Sequence, residues 1–133
     1  MAHHECVPIL SDADIVTARQ RGRALAAELE MSAGDLALVA TAISEVARNI
    51  LTYARRGEIH LCLIEEGRRR GLVVMARDEG PGIPNIPQAM RDGFSTSNSL
   101  GLGLPGARRL VDEFEIESEV GKGTVVTMTK WAP

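Results

Sequence analysis

The sequence predicts an α+β fold, a two-layer sandwich in which about three helices pack on one face of a mixed, mostly antiparallel sheet. Two observations lead to this prediction. Apolar residues recur at helical spacing between residues 15 and 50, and strand-like runs separated by glycine-containing turns follow in the middle and near the end. Helices and hairpins in this order are typical of helices that cover one face of a sheet. With 133 residues and no visible linker or repeat, the chain is predicted to be a single domain, 1–133.

The first elements are predicted to be an edge strand and two helices. Residues 7–10 form a short apolar run that suits an edge strand. Ser11 opens the first helix with an S-x-x-D capping signature, and Ser32 opens the longer second helix in the same way. We expect the second helix to stop at Gly57, because glycine is a common helix terminator.

The rest of the chain is predicted to form two hairpins and a third helix. The alternating run 59–63 and the apolar run 72–76 are predicted to pair across a glycine- and arginine-rich turn. Residues 107–113 are predicted to be helical. Residues 114–118 and 124–131 are predicted to close the sheet as a second hairpin, with glycines in its turn.

Composition argues against several classes of function. The net charge is −3, so no basic surface for nucleic acid is indicated, and one Trp, one Tyr and two Phe offer no platform for stacking bases. No signal peptide or apolar run of membrane-spanning length is visible, so we expect no membrane partner and a cytoplasmic protein. Two distant cysteines do not suggest a disulfide framework.

His3, His4 and Cys6 are residue types that ligate metals. They lie at a terminus that we expect to fray, and no fourth ligand is visible nearby in the sequence. The sequence therefore predicts no metal site there.

The segment 78–106 is predicted to be a nucleotide pocket with its lid. Two glycine clusters flank small, polar and proline residues that have little capacity to bury themselves, with 94–99 as the lid. Glycines let backbone N–H groups approach phosphates closely, and a helix N-terminus adds a favourable dipole. Residues 101–106 match G-x-G-x-x-G, but a flexible loop precedes them where a dinucleotide fold needs a strand. A P-loop is also absent.

Three polar side chains are candidates for the chemistry. Glu45 and Asn49 are four residues apart, so they stand on one helix face, beside the apolar stripe. Asn offers a neutral oxygen to Mg2+, and Glu can accept a proton from a nucleophile. Asp78 is an acceptor that suits the exocyclic amine of adenine. Spacing alone leaves open a solvated helix flank for the pair and an ordinary turn acid for Asp78.

Four blocks in order, SEVARNI (44–50), DEGPGI (78–83), GLGLPG (101–106) and GKGT (121–124), resemble the GHKL superfamily of ATPases and kinases, which has the Bergerat fold. Further runs between 14 and 131, among them DIVTARQ (14–20), DGFSTS (92–97), DEFEIES (112–118) and KW (130–131), resemble the small switch kinases of the RsbT type. This resemblance implies an ATP- and Mg2+-dependent serine/threonine-protein kinase of the stress response. Such a kinase phosphorylates a STAS-domain antagonist in a stressosome by partner switching and, when released, activates a PP2C-type phosphatase or another downstream regulator.

The same resemblance implies roles for individual residues. Asn49 would be the Mg2+ ligand, Glu45 the base for the acceptor hydroxyl and Asp78 the adenine contact. The remaining nucleotide-binding residues would be Gly80, Gly82, Gly101, Leu102, Gly103, Gly106 and Thr124. Gly80 and Gly82 would shape the wall beneath the base, the later glycines would face the phosphates, and Thr124 would support Asp78.

Two alternative functions remain open at this stage. The first is a non-catalytic, ATP-gated binding module of the anti-sigma type, which acts by sequestration. The second is a detached catalytic domain of a sensor histidine kinase. Glu45 favours a kinase that phosphorylates a hydroxyl group over a histidine kinase.

Overall fold

A computed structural model describes residues 4–91 and 103–133, and within them the chain forms five strands and four helices. The strands are β1 (His4–Ile9), β2 (Gly57–Glu66), β3 (Arg69–Asp78), β4 (Glu113–Glu119) and β5 (Gly123–Trp131). The helices are α1 (Asp12–Glu28), α2 (Ala33–Tyr53), α3 (Ile86–Ala89) and α4 (Gly103–Leu110). The predicted α+β fold is confirmed. No helix in the described ranges has the length and apolar character needed to cross a membrane.

The strands form one sheet in the order β1-β2-β3-β5-β4, and each of these neighbouring pairs is antiparallel. The strand β3 therefore lies at the centre. Its last residue, Asp78, pairs with Gly57 of β2 on one side and with Thr124 of β5 on the other. The acid predicted to contact adenine thus sits at the end of the central strand.

The helices α1 and α2 cover one face of the sheet, and their buried residues are those of the predicted stripes. Ile15, Leu25, Ile43 and Ile50 are each at most 3% exposed. Gly22 is also buried in α1, and a Cβ there would collide with the Ile43 side chain. The two helices therefore approach closely at this glycine.

Both predicted capping signatures form the expected helix starts. The hydroxyl of Ser32 accepts the backbone N–H of Asp35 at 3.1 Å. At the start of α1, the Asp14 carboxylate accepts the backbone N–H of Leu10 at 2.8 Å and that of Ser11 at 3.1 Å. These bonds satisfy backbone donors that a helix start would otherwise leave without partners.

Two predicted helix boundaries are wrong. The helix α2 ends at Tyr53, and Arg55 rather than Gly57 takes a left-handed conformation, with φ of 72°. Gly57 begins β2, where a Cβ would collide with the backbone of Arg77 in β3. The third long helix, α4, spans Gly103–Leu110 and so begins and ends earlier than the predicted 107–113.

The first hairpin is longer than predicted, because the turn between β2 and β3 has only two residues and Glu66 pairs with Arg69. The guanidinium of Arg69 lies 3.0 Å from the Glu66 carboxylate and 3.9 Å from the centre of the Trp131 ring. These contacts extend the pairing of the strands to the tip of the hairpin and hold the end of β5 beside it.

Candidate functional site

A cavity of about 340 Å³ lies between α2, the end of β3, the loop that follows β3 and the start of α4. This volume falls within the range of small-molecule sites in proteins. Its polar lining residues are Glu45, Arg48, Asn49, Thr52, Asp78, Asn85, Gln88 and Thr124. Much of the remaining wall is apolar, including Ile83 and Leu104. A cavity with apolar walls and a few convergent polar groups suits a small organic ligand that the polar groups orient.

Glu45 and Asn49 stand one turn apart on α2, and both line the cavity. Glu45 is only 8% exposed, because α4 packs against α2 at this level. It therefore does not belong to a solvated helix flank, the alternative that its spacing left open. Asn49 is half-buried on the same wall.

The Glu45 carboxylate accepts the backbone N–H of Gly103 at 3.1 Å. Gly103 is the first residue of α4 and has φ of +62°, a conformation that glycine adopts without strain. A carboxylate at a helix N-terminus is favourable because the unpaired N–H groups carry partial positive charge. An anionic ligand that reaches this end of α4 would compete with Glu45 for the same N–H group.

Asp78 lines the cavity at the end of β3, and its Oδ1 accepts the backbone N–H of Gly80 at 2.9 Å. Gly80 lies against the end of α2, where a Cβ would fall 2.5 Å from the Cβ of Ala54. Gly82 has φ of +79° and lies against the backbone of Glu119. The two glycines therefore let the loop after Asp78 pass between α2 and β4, and this passage shapes one wall of the cavity.

Thr124 is buried beside Asp78, and its hydroxyl lies 2.8 Å from that of Ser118. The Ser118 hydroxyl also accepts the backbone N–H of Ile83 at 2.7 Å and lies 3.0 Å from the Gly123 carbonyl oxygen. Ser118 thus links the glycine-rich loop to β5. The sequence reasoning missed this residue, although Phe114, Ile116 and Ser118 alternate along one strand and so share a face.

Replacing Ser118 with alanine should destabilise the protein by about 1–3 kcal/mol, because the Ile83 N–H group loses a partly buried partner. The measurement is urea unfolding at equilibrium. Ser44→Ala is a matched control: Ser44 is also half-buried, but its hydroxyl donates to the Ala40 carbonyl one turn back in its own helix. Because alanine is the better helix former, that change should be nearly neutral. Equal losses in the two variants would contradict the linking role of Ser118.

Some of the predicted glycine-rich residues do not line the cavity, and others fall outside the described ranges. Gly103 lines the cavity, whereas Gly106 is buried within α4 and is not among the residues that line it. Gly101, Leu102 and the predicted lid 94–99 fall outside the residues that the structure describes.

The helix α3, which the sequence reasoning did not predict, brings further polar groups to the cavity. Asn85 caps α3 by accepting the Gln88 backbone N–H at 3.0 Å, and both residues line the cavity. An asparagine two positions before Pro87 was the available signal, since asparagine favours the N-cap and proline favours the first turn. Arg48, an exposed residue of α2, lines the cavity as well.

These residues have the donor chemistry that ATP and Mg2+ require. Asn49 and Glu45 offer a carboxamide and a carboxylate on one turn, which suits Mg2+ because this ion keeps most of its waters and uses few protein ligands. Asp78 offers an acceptor for an amine at the other side of the cavity. The start of α4 offers backbone N–H groups for phosphate oxygens.

Comparison with known proteins shows similarity over nearly the whole chain. The family described as Histidine kinase-like ATPase domain matches residues 10–130. The serine/threonine-protein kinase RsbT of Bacillus subtilis is 49% identical over 131 residues, which are 98% of this chain and 98% of that relative. An anti-sigma F factor from a Thermoanaerobacter species is 34% identical over 114 residues, which cover 81% of this chain and 78% of that relative.

Two solved structures have a similar fold. One is a crystal structure of the RsbU and RsbW domains of a Mycobacterium tuberculosis protein, with a TM-score of 0.63 and 22% identity. The match covers all of this chain and spans a third (33%) of the length of that one. The other is the mycobacterial sensor histidine kinase MprB, with a TM-score of 0.54, 18% identity and 98% of each chain covered.

Proposed function

Because this chain belongs to the family of histidine kinase-like ATPase domains and is a serine/threonine-protein kinase of the RsbT type, we propose that it transfers the γ-phosphate of ATP to a hydroxyl of a STAS-domain antagonist. The observation that carries this proposal is that Glu45, Asn49 and Asp78 line a single cavity. A base, a metal ligand and an acceptor for the nucleotide base are thereby available around one ligand.

The adenine ring lies between the apolar wall and Asp78, whose carboxylate accepts a hydrogen bond from the exocyclic amine. The bond from Gly80 to Oδ1 holds this carboxylate in place. The bonds of Ser118 to Ile83 and Thr124 hold the surrounding wall. These bonds join protein groups to one another, so the fold itself holds the adenine end of the site in shape.

The phosphates lie toward α4 and the α2 wall. Asn49 would hold Mg2+, which neutralises the charge on the β- and γ-phosphates when bound. The backbone N–H of Gly103 is available to a phosphate oxygen once Glu45 releases it. This exchange frees the Glu45 carboxylate for the acceptor, so nucleotide binding and activation of the base are coupled.

In the transfer step, the hydroxyl oxygen of the partner attacks the γ-phosphorus while Glu45 takes the hydroxyl proton. The bond between the γ-phosphorus and the bridging oxygen breaks, and ADP leaves with the electron pair. Phosphoryl transfer needs mainly positioning and charge neutralisation, so few protein groups suffice. We place this reaction in the cytoplasm, where ATP is available. We also propose that the kinase, once it is released from its phosphorylated antagonist, activates a PP2C-type phosphatase.

A second candidate function is a non-catalytic, ATP-gated module that sequesters its partner. The similarity to anti-sigma F factors favours it, since the likeness covers 81% of this chain. Sequestration would need the nucleotide cavity but not proton transfer by Glu45. The two functions therefore differ in whether a phosphorylated partner is formed.

The test is to incubate the protein with γ-labelled ATP, Mg2+ and each purified STAS-domain protein of the same organism. We expect label on a serine or threonine of one of them, stable in acid, and no transfer without Mg2+. A partner that binds in the presence of ATP but takes up no label would support the sequestering module instead. An acid-labile product would indicate a phosphohistidine and contradict the proposed hydroxyl acceptor.

A further inference from the structure

A second cluster of reactive side chains lies on the sheet face opposite the helices, between β1 and β2. Cys6 pairs directly with His60 across the two strands, and Glu58 is two residues before His60, on the same face. The neighbouring residues Val7 and Ile59 point the other way, into the core. The cluster is therefore separate from the nucleotide cavity, and the proposed kinase reaction does not use it.

The three side chains converge on one point. The Cys6 Sγ lies 3.6 Å from Glu58 Oε2 and 3.9 Å from His60 Nε2. His60 Nε2 lies 3.1 Å from Glu58 Oε1. In a tetrahedral zinc site with Zn–S of about 2.3 Å and Zn–N or Zn–O of about 2.0–2.1 Å, the ligand atoms are about 3.3–3.6 Å apart. The Cys6–His60 separation differs from these values by only a few tenths of an ångström. The two distances to Glu58 join different carboxylate oxygens, and one ligand atom from each of the three residues lies within 4.8 Å of the other two.

We propose that Cys6, Glu58 and His60 bind a divalent transition-metal ion of the Zn2+ type, with water completing a tetrahedral site. A thiolate, an imidazole and a carboxylate are all zinc ligands, and together they suit zinc better than Mg2+ or Ca2+, which prefer oxygen ligands only. The site crosses from the edge strand β1 to β2, so the ion would clamp this edge strand to the sheet.

His4 gives the site an outer support. Its ring is nearly parallel to that of His60, with 5.2 Å between ring centres, and its Nε2 lies 3.0 Å from His60 Nδ1. Metal-binding histidines usually hold their other ring nitrogen with a hydrogen bond of this kind, which fixes the tautomer and the ring orientation. The sequence reasoning counted His4 and Cys6 and found no further ligand, because Glu58 and His60 come from a strand that lies far along the chain.

The geometry does not suit a nucleophilic cysteine triad. In such a triad the acid orients the histidine through one ring nitrogen and the thiol uses the other, whereas Glu58 and Cys6 both face His60 Nε2. Burial and the nearby Glu58 carboxylate also raise the pKa of the Cys6 thiol, which makes it a poorer nucleophile.

The test is to titrate the reduced, full-length protein with Co2+, which reports on its ligands, and then to displace it with Zn2+. We expect one equivalent to produce the visible bands of a tetrahedral site and a thiolate charge-transfer band. Zn2+ should also raise the melting temperature, because it binds only the folded site. Cys6→Ser should abolish the charge-transfer band, and His60→Gln or Glu58→Gln should weaken binding at least about 10- to 100-fold.

Cys62→Ser is the matched control, because Cys62 is the other cysteine of the chain and lies on β2, two residues after His60, and it should keep the band. His3→Ala should keep it too. A band that depends on Cys62, or binding that survives His60→Gln and Glu58→Gln unchanged, would overturn the proposed site. A wild-type protein that is folded and reduced but gives no tetrahedral spectrum with Co2+ would overturn it as well.

Discussion

Glu45→Gln should slow phosphoryl transfer by about 10²- to 10⁴-fold, the usual contribution of a general base, while ATP affinity changes little. Glutamine has the size of glutamate, and its amide oxygen can still accept the N–H of Gly103. It cannot take a proton from the acceptor hydroxyl. The measurement is single-turnover transfer of γ-labelled phosphate to the STAS-domain partner, with ATP affinity measured separately by calorimetry.

Thr41→Ala is the control for this experiment, because Thr41 lies on the exposed side of the same helix and does not line the cavity. It should transfer phosphate at the wild-type rate. A Glu45→Gln variant that also transferred at that rate would show that Glu45 is not the base. If the variant instead lost ATP affinity as much as activity, Glu45 would act in nucleotide binding.

The parts of the fold that were predicted correctly depend on local signals. The apolar stripes of α1 and α2 are continuous over several turns, and a capping serine precedes each of them. The run 59–63 was recognised because alternation at a spacing of two exposes one face of a sheet and buries the other, and 7–10 and 72–76 were recognised as short apolar runs. Such patterns lie within about ten residues and need no knowledge of the tertiary structure.

The errors come from contacts between distant residues. Gly57 was interpreted as a helix terminator, but the backbone of Arg77 in the neighbouring strand is what excludes a side chain there. The helix α3 has only four residues, too few to show a helical period. The residue that takes the left-handed conformation after α2 is an arginine, and arginine carries no such signal in a sequence.

The candidate site also has features that local patterns predict and features that depend on contacts between distant residues. The pairing of Glu45 with Asn49 follows from helical spacing, and Asp78 follows from a strand that ends in a glycine-rich loop. The bond between Glu45 and Gly103 joins residues 58 apart, and the one between Ile83 and Ser118 joins residues 35 apart. The cluster of Cys6 with His60 depends on the register of β1 against β2. A single sequence does not show which distant residues come into contact, nor the register of one strand against another.

Asp78→Asn should weaken ATP binding by about 10- to 100-fold, since a hydrogen bond to a charged group contributes about 1.5–3 kcal/mol and each 1.4 kcal/mol is tenfold. The direction follows from Gly80, whose N–H donates to Oδ1 at 2.9 Å. This bond keeps the amide oxygen of the variant at Oδ1 and therefore places its NH2 group at the other position. Two donors, the amide and the adenine amine, would then face each other. The measurement is calorimetric titration with ATP and Mg2+.

GTP separates this effect from general damage to the cavity, because guanine carries a carbonyl where adenine carries the amine. The wild-type carboxylate repels that carbonyl oxygen, whereas the NH2 group of the variant would donate to it. The ratio of the ATP affinity to the GTP affinity should therefore fall by a larger factor than the ATP affinity itself. Glu79→Gln, the exposed neighbour that does not line the cavity, should change neither affinity. Equal losses for ATP and GTP in Asp78→Asn would mean that Asp78 supports the loop and does not contact the base, and unchanged ATP affinity would move the adenine site away from β3.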